Sequence, residues 1–481
     1  MVKLKRQNVN LIQKQPIKIV QFGEGNFLRG FIGYIFNELN KQANFNAGIA
    51  VVQPIKKGLV ETLNHQEGLY TLFMHGIENG KENEKIELVS NIVKGVNPYT
   101  HFEQYLKLAE EESLEFIISN TTEAGIVFLE SDTMQMQPPD SFPAKLTLLL
   151  YERFKHFHGD VSKGLIILPC ELIDNNADSL RKIIFKYCDF WSLNTLFKTW
   201  LQNSCTFCNT LVDRIVPGFP KDNIEYYKTK LNYEDSLIVT TELFLLWVIE
   251  GGNEIQRKLP FDKTKLNIKI VENMQPYRTR KVRILNGAHT AMVPLSILYG
   301  NETVKETIEN HFTGKFIKNI VFKEIIETLQ VDKNELQIYA DEVFNRFINP
   351  FITHNLSSIA LNTLSKFRVR VLPSFLEFIH IYKRLPTHLT YVFACLICFY
   401  KGNFNERELP IQDNDDIVNN FKKIWEKKNY NLIATLVLSN KEYWGEDLTK
   451  VKNLSKAIAF ALNEIETKGV EEGFKNFSKV F

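Results

Sequence analysis

Apolar and polar positions follow two different rhythms along this chain, and the rhythm changes near residue 276. Before that point, short apolar runs recur at 17–22, 48–53, 114–119, 165–168, 211–216 and 266–271. Each has strand length, and turn-forming residues flank them. Stretches of helical spacing lie between them, at 102–111, 143–157 and 177–201. Strands alternating with helices predict a mostly parallel sheet with helices on both faces. After residue 276 strand signals become scarce. Long amphipathic segments take over at 316–329, 336–347, 389–400 and 453–466. The expected fold is therefore α/β: a Rossmann-like N-terminal domain over 1–272, then a mainly helical domain over 273–481.

The first apolar run leads straight into Gly23-Glu24-Gly25-Asn26-Phe27-Leu28-Arg29-Gly30, and a helical pattern follows. Strand, glycine turn and helix in that order make a dinucleotide fingerprint credible. Gly23 suits the tight turn, Gly25 lets backbone approach a pyrophosphate, and the helix start offers free N–H groups. The third glycine of the usual pattern is missing, since position 28 is Leu. A second set of residues lies where the rhythm changes. Lys281, Asn286 and His289 stand at i, i+5 and i+8, shortly after a helix-opening Pro276. On an α-helix they fall within an arc of about 140° over roughly 12 Å. A lysine can exchange a proton with a hydroxyl, an amide can hold an oxyanion, and an imidazole can orient the oxygen. A solvated polar helix face would carry similar residues, so spacing alone does not decide.

Together these motifs resemble the polyol-specific long-chain dehydrogenase/reductase family, which includes mannitol dehydrogenases and hexuronate reductases. The segments 68–71, 119–125, 168–174, 211–216, 285–291 and 357–368 extend the resemblance over essentially the whole chain and favour the hexuronate branch. The resemblance implies metal-independent reduction of tagaturonate to altronate with NAD(H). It makes Lys281 the acid/base and puts Asn286 and His289 on the substrate oxygen. A normal lysine pKa near 10.4 is too high for this task; burial and a nearby nicotinamide cation are the two effects that would lower it. The cofactor site is expected at Phe22, Gly23, Gly25, Asn26, Phe27 and Arg29, with Thr121, Thr122 and Glu123 near the nicotinamide ribose. Asp213 is expected beside the substrate; an ion pair with Arg214 is the plainer alternative. Lys366 and Arg368, then Arg283, are expected to clamp the uronate carboxylate, with Arg370 a weaker candidate.

Two departures qualify the resemblance. Mannitol-type members show Cys-Asp-Asn where this chain has Cys170-Glu171-Leu172, which weakens a mannitol assignment. The second strand ends in Gln53-Pro54, without an acid for the adenosine ribose. Lys56 and Lys57 follow, so NADP stays open beside NAD. Fructuronate or a neutral polyol are the nearest alternative substrates. A non-catalytic dinucleotide-binding redox sensor is the alternative of a different class.

Composition excludes more than it specifies. Its 481 residues suit two domains, and a net charge of +2 gives no long-range attraction to nucleic acid or anionic membrane. No apolar run reaches membrane-spanning length, and residues 1–8 lack the apolar region of a signal peptide. A cytoplasmic enzyme is expected, a monomer or small homo-oligomer acting on a small-molecule hexuronate. Cys205/Cys208 and Cys395/Cys398 form two CxxC pairs, but they lie too far apart for a zinc ribbon. No metal site is expected.

Overall fold

The computed structural model describes residues 2–11, 15–78, 81–121, 125–351 and 354–481. The chain divides into two compact units, Met1–Met274 and Gln275–Phe481.

The first unit is built on six parallel strands. They are β1 (Ile17–Phe22), β2 (Gly48–Val52), β3 (Ile92–Val96), β4 (Phe116–Ser119), β5 (Ile166–Pro169) and β6 (Thr206–Phe207). Their order across the sheet is β3-β2-β1-β4-β5-β6, with the reversal of direction between β1 and β4. That order is the one in which dinucleotides bind outside the strand ends at the reversal. The strands read as continuous apolar runs because both faces are covered. Ile19, Ile49, Val51, Phe116 and Ile118 face one cluster. Val20, Phe22, Ala50, Val52 and Ile117 face the other. The first face is covered by the helix from Asn26, through Phe31, Ile35, Phe36 and Leu39. The second is covered chiefly by the helices Phe142–His156 and Asn176–Phe190.

Two smaller sheets depart from the expected plan. The runs at 211–216 and 266–271 do not join the main sheet. Thr210–Asp213 pairs antiparallel with Leu246–Glu250, which pairs parallel with Ile268–Val271. Tyr70–Glu78 lies between Val239–Glu242 and Lys81–Val89. Lys81–Val89 was not anticipated because five of its nine residues are charged and only Val89 is buried. The helix expected over 177–201 is broken. Ser192 turns left-handed at φ 53°, and Asn194 caps a new helix, Thr195–Ser204, by accepting from Phe197 N–H at 2.7 Å.

The second unit is helical; its strands among the described residues are the short pair Asn403–Phe404 and Arg407–Glu408. Its centre is the helix Thr387–Phe399, every residue of which from Leu389 to Phe399 is buried. The helices Gly287–Tyr299 and Leu454–Lys468 pack against it. Cys395 and Cys398 lie in this helix as small apolar residues, and burial pushes both thiols well above their ordinary pKa.

Candidate active site

In the first unit the glycine turn closes as the sequence implies. Gly23 sits at φ 120°, and its N–H donates to Val52 O at 3.0 Å. A Cβ there would meet Leu28 and the Asn120 carbonyl, so only glycine fits. Gly25 is the N-cap of the next helix, and a Cβ on it would meet nothing within 4 Å. The turn therefore exposes unobstructed backbone at a helix start, beside the sheet's reversal point. These residues fit a dinucleotide pyrophosphate.

The absent third glycine is explained two residues on. The helix runs α over Asn26–Leu28, π over Arg29–Gly33, and α again over Tyr34–Ala43. A Cβ on Gly30 would lie 2.7 Å from Thr241 Cγ2, and one on Gly33 would lie 2.0 Å from the Tyr70 hydroxyl. Gly30 and Gly33 thus permit the close helix–strand packing that the third fingerprint glycine usually gives.

Several expected cofactor residues take other roles. Phe22 is fully buried, packed on Phe142 and Tyr105, so its side chain supports the turn from below. The Arg29 guanidinium turns inward and donates to Glu24 O, Leu237 O and Asn26 Oδ1. It shapes the turn and is not exposed to a phosphate. Phe27 stacks on Phe31 at 5.1 Å, and Asn26 lies against Gly218. Thr121 spends both its N–H (2.9 Å) and its hydroxyl (3.0 Å) on the Glu171 carboxylate. Its hydroxyl therefore anchors the loop after β4 and does not reach out to a ribose. Ser119 also donates to Glu171, whose pKa burial raises. Sequence reasoning noted Glu171 only as a departure and missed this organising role. Thr122 and Glu123 lie outside the described residues. Asp213 is buried at the end of its strand, while the Arg214 guanidinium donates to Gly30 O and Glu242 O.

In the second unit the lysine motif lies on one helix, but its geometry is not that of a plain α-helix. Gln275–Arg280 is α, Lys281–Asn286 is π, and Gly287–Tyr299 is α. In a π segment the i→i+5 bond places Lys281 and Asn286 nearly one above the other, closer in angle than the α estimate. Arg280 fixes the start of this segment. It pairs with Glu335, and its guanidinium lies 4.4 Å from the Tyr339 ring centroid. Lys281, Arg283, Asn286 and His289 are all partly exposed, and Ile284, Leu285, Ala288 and Thr290 face the core. The His289 ring stacks on Phe347 at 4.4 Å and meets His354 edge-on at 4.9 Å. Burial lowers the pKa of His354, since desolvation disfavours its charged form. Arg283 is also desolvated, with Glu377 opposing the effect. Its Nη1 is buried without a hydrogen-bond partner among the described residues.

Helical register divides the expected clamp residues between two faces. Lys366, Arg368 and Arg370 lie on the helix Thr363–Arg370. Residues two apart diverge by about 200°, whereas i and i+4 share a face. Lys366 and Arg370 therefore pair in direction, and Arg368 points elsewhere. Arg368 is exposed and donates to Glu442 O at 3.2 Å. Lys366 is half-buried and donates to Ile359 O at 3.0 Å. The Arg370 carbonyl lies against Gly287, so this helix end adjoins the segment that carries Arg283.

The chain is similar to known proteins over both units. Residues 17–263 match the Mannitol dehydrogenase Rossmann domain, and residues 273–466 match the Mannitol dehydrogenase C-terminal domain. An altronate oxidoreductase of Bacillus subtilis is 43% identical over 99% of this chain and 98% of its own. One from Bacteroides thetaiotaomicron is 41% identical over 96% of this chain and 97% of its own. Among solved structures, a D-sorbitol dehydrogenase in substrate-free form superposes with a TM-score of 0.82 at 19% identity, covering 98% of this chain and all of that one. Pseudomonas fluorescens mannitol 2-dehydrogenase, solved with NAD and D-mannitol, superposes with a TM-score of 0.71 at 18% identity, with both chains covered in full. The chain belongs to the mannitol dehydrogenase family and is a nicotinamide-dinucleotide-dependent oxidoreductase acting on CH–OH groups.

Proposed function

We propose that this protein reversibly reduces tagaturonate to altronate with NADH, as a step of hexuronate catabolism. The observation that carries the uronate reading is Arg283. Its buried Nη1 has no hydrogen-bond partner among the described residues, and it lies on the same π segment as Lys281 and Asn286. A buried donor left unmatched is costly, and a substrate carboxylate would satisfy it. A neutral polyol would not. The altronate oxidoreductase relatives, alike over nearly their full length, support the same reading.

The proposed chemistry assigns one task to each group. The turn at residues 23–25 would hold NADH, which when bound would supply the hydride for the keto carbon. Lys281 donates a proton to the carbonyl oxygen as negative charge develops there, and reclaims it in the oxidative direction. The Asn286 side-chain amide donates a hydrogen bond to the same oxygen, which is the oxyanion stabilisation that otherwise falls to a metal. His289, held in plane by Phe347, orients the oxygen or its neighbouring hydroxyl. Arg283, with Lys366 and Arg370, binds the carboxylate. Asp213 accepts hydrogen bonds from sugar hydroxyls. Steady-state rates with tagaturonate, fructuronate, fructose and mannitol, followed by NADH absorbance, test the assignment. Tagaturonate is expected to give the highest kcat/KM. A higher value for fructuronate or a neutral substrate would refute it.

A further inference from the structure

β2 ends without an acid, yet a carboxylate stands at its end. Glu24, the residue between the two turn glycines, is only 7% exposed and reaches across to the segment after β2. Its Oε1 accepts from Leu59 N–H at 3.3 Å. A Cβ on Gly58 would fall 2.0 Å from that oxygen, so the chain at Gly58 closes directly over the carboxylate. Gln53, which occupies the usual position of the acid, is committed elsewhere. Its amide donates to Ile55 O at 2.8 Å and Lys56 O at 3.1 Å, and this shapes the loop. Lys56 and Lys57 are exposed on that loop, and neither forms an ion pair with Glu24.

From this placement we infer that Glu24 is the cofactor-discriminating residue. In dinucleotide folds the acid ending the second strand takes the adenosine ribose 2′-hydroxyl. Here the turn supplies that charge from β1, across the gap to the end of β2. One carboxylate oxygen is held by Leu59 N–H, and no neighbouring side chain among the described residues claims the other. A ribose diol can donate to it. A 2′-phosphate would place two like charges together in a desolvated turn, where repulsion is strong. The inference rests on the dinucleotide site proposed for this turn. It deepens the NAD assignment and does not depend on which sugar acid is reduced.

The test is direct binding, measured by the fluorescence of NADH and NADPH titrated with protein. Wild type should bind NADH at least about tenfold more tightly than NADPH, from the repulsion of one close charge pair near a protein surface. Glu24→Gln keeps the side-chain length and the acceptor for Leu59 N–H. It should narrow the NADH/NADPH ratio roughly tenfold or more, mainly by tightening NADPH. Glu24→Asp keeps the charge and should still reject NADPH, which covers the case in which the amide variant folds poorly. Lys57→Ala should leave the ratio unchanged. An unaltered ratio in well-folded Glu24→Gln, or a wild type that prefers NADPH, would overturn the inference. Failure to turn over tagaturonate with the binding preference intact would sink the substrate reading alone.

Discussion

Gly33 and Tyr70 offer a sharp test of how the cofactor turn is supported. Tyr70 is fully buried, and its hydroxyl donates to Arg29 O at 2.7 Å. Arg29 begins the π segment, which ends at Gly33. An alanine Cβ at Gly33 would fall 2.0 Å from that hydroxyl and 3.3 Å from the ring carbon that bears it. Gly33→Ala must therefore push the hydroxyl off the carbonyl. Stranding a buried polar group costs about 1–3 kcal/mol, and overpacking costs about 1–3 more. The better helix propensity of alanine returns roughly 1 kcal/mol. The net expectation is about 1–5 kcal/mol of destabilisation. Tyr70→Phe alone should cost on the order of 1 kcal/mol. In Tyr70→Phe the atom that clashes is gone, so adding Gly33→Ala should cost little more. Urea denaturation followed by tryptophan fluorescence measures all four corners of the cycle. The coupling should be at least about 1 kcal/mol. Strict additivity would refute the claim that glycine is required here by the Tyr70 hydroxyl.

Lys281→Ala should lower kcat and kcat/KM together by roughly 10²–10⁴-fold, with NADH affinity little changed; near wild-type turnover would remove Lys281 from the mechanism. Arg370→Met and Lys366→Met should each raise KM for tagaturonate by roughly 10–150-fold, the equivalent of a charge-assisted hydrogen bond. Arg368→Met, on the opposite side of the same helix, should leave KM within about twofold of wild type, since exposed side chains of this kind contribute little. A reversed ranking would restore Arg368 as the clamp. Dialysis against a strong chelator should leave activity intact; loss that added zinc reverses would show that a metal takes part.

Four of the six strands of the main sheet were legible in the sequence because strands covered on both faces leave continuous apolar runs, as in 17–22 and 48–53, whereas Ile92–Val96 and Thr206–Phe207 were not. Strand 81–89 was not legible, because five of its nine residues are charged and it holds no apolar run. The glycine turn was legible for the same reason it is required: few residues other than glycine tolerate φ 120°. Which side chains around it face outward was not. Phe22 and Arg29 look like ligand contacts in one dimension and turn inward in three. The facing of the expected clamp residues was not legible either. Alternating Lys-Phe-Arg-Val-Arg reads as one basic surface if extended, but the segment is helical and divides it. The role of Glu24 was hidden because it acts on a loop more than thirty residues away.

The π segment also sets a phase. Gln275–Arg280 and Gly287–Tyr299 are ordinary α-helix, yet the six residues between them are wound more loosely. In effect the axis continues while the azimuth slips by about one residue. Were these six residues instead to rewind as uninterrupted α-helix, every backbone bond would be retained. The penalty would come from orientation. Everything after Asn286 would swing by about 100° relative to Lys281. His289 would leave its seat on Phe347, and residues of the buried face would be turned toward water. The loose winding thus acts as an angular spacer, tuning which flank of a continuous rod meets the reactants and which meets the core.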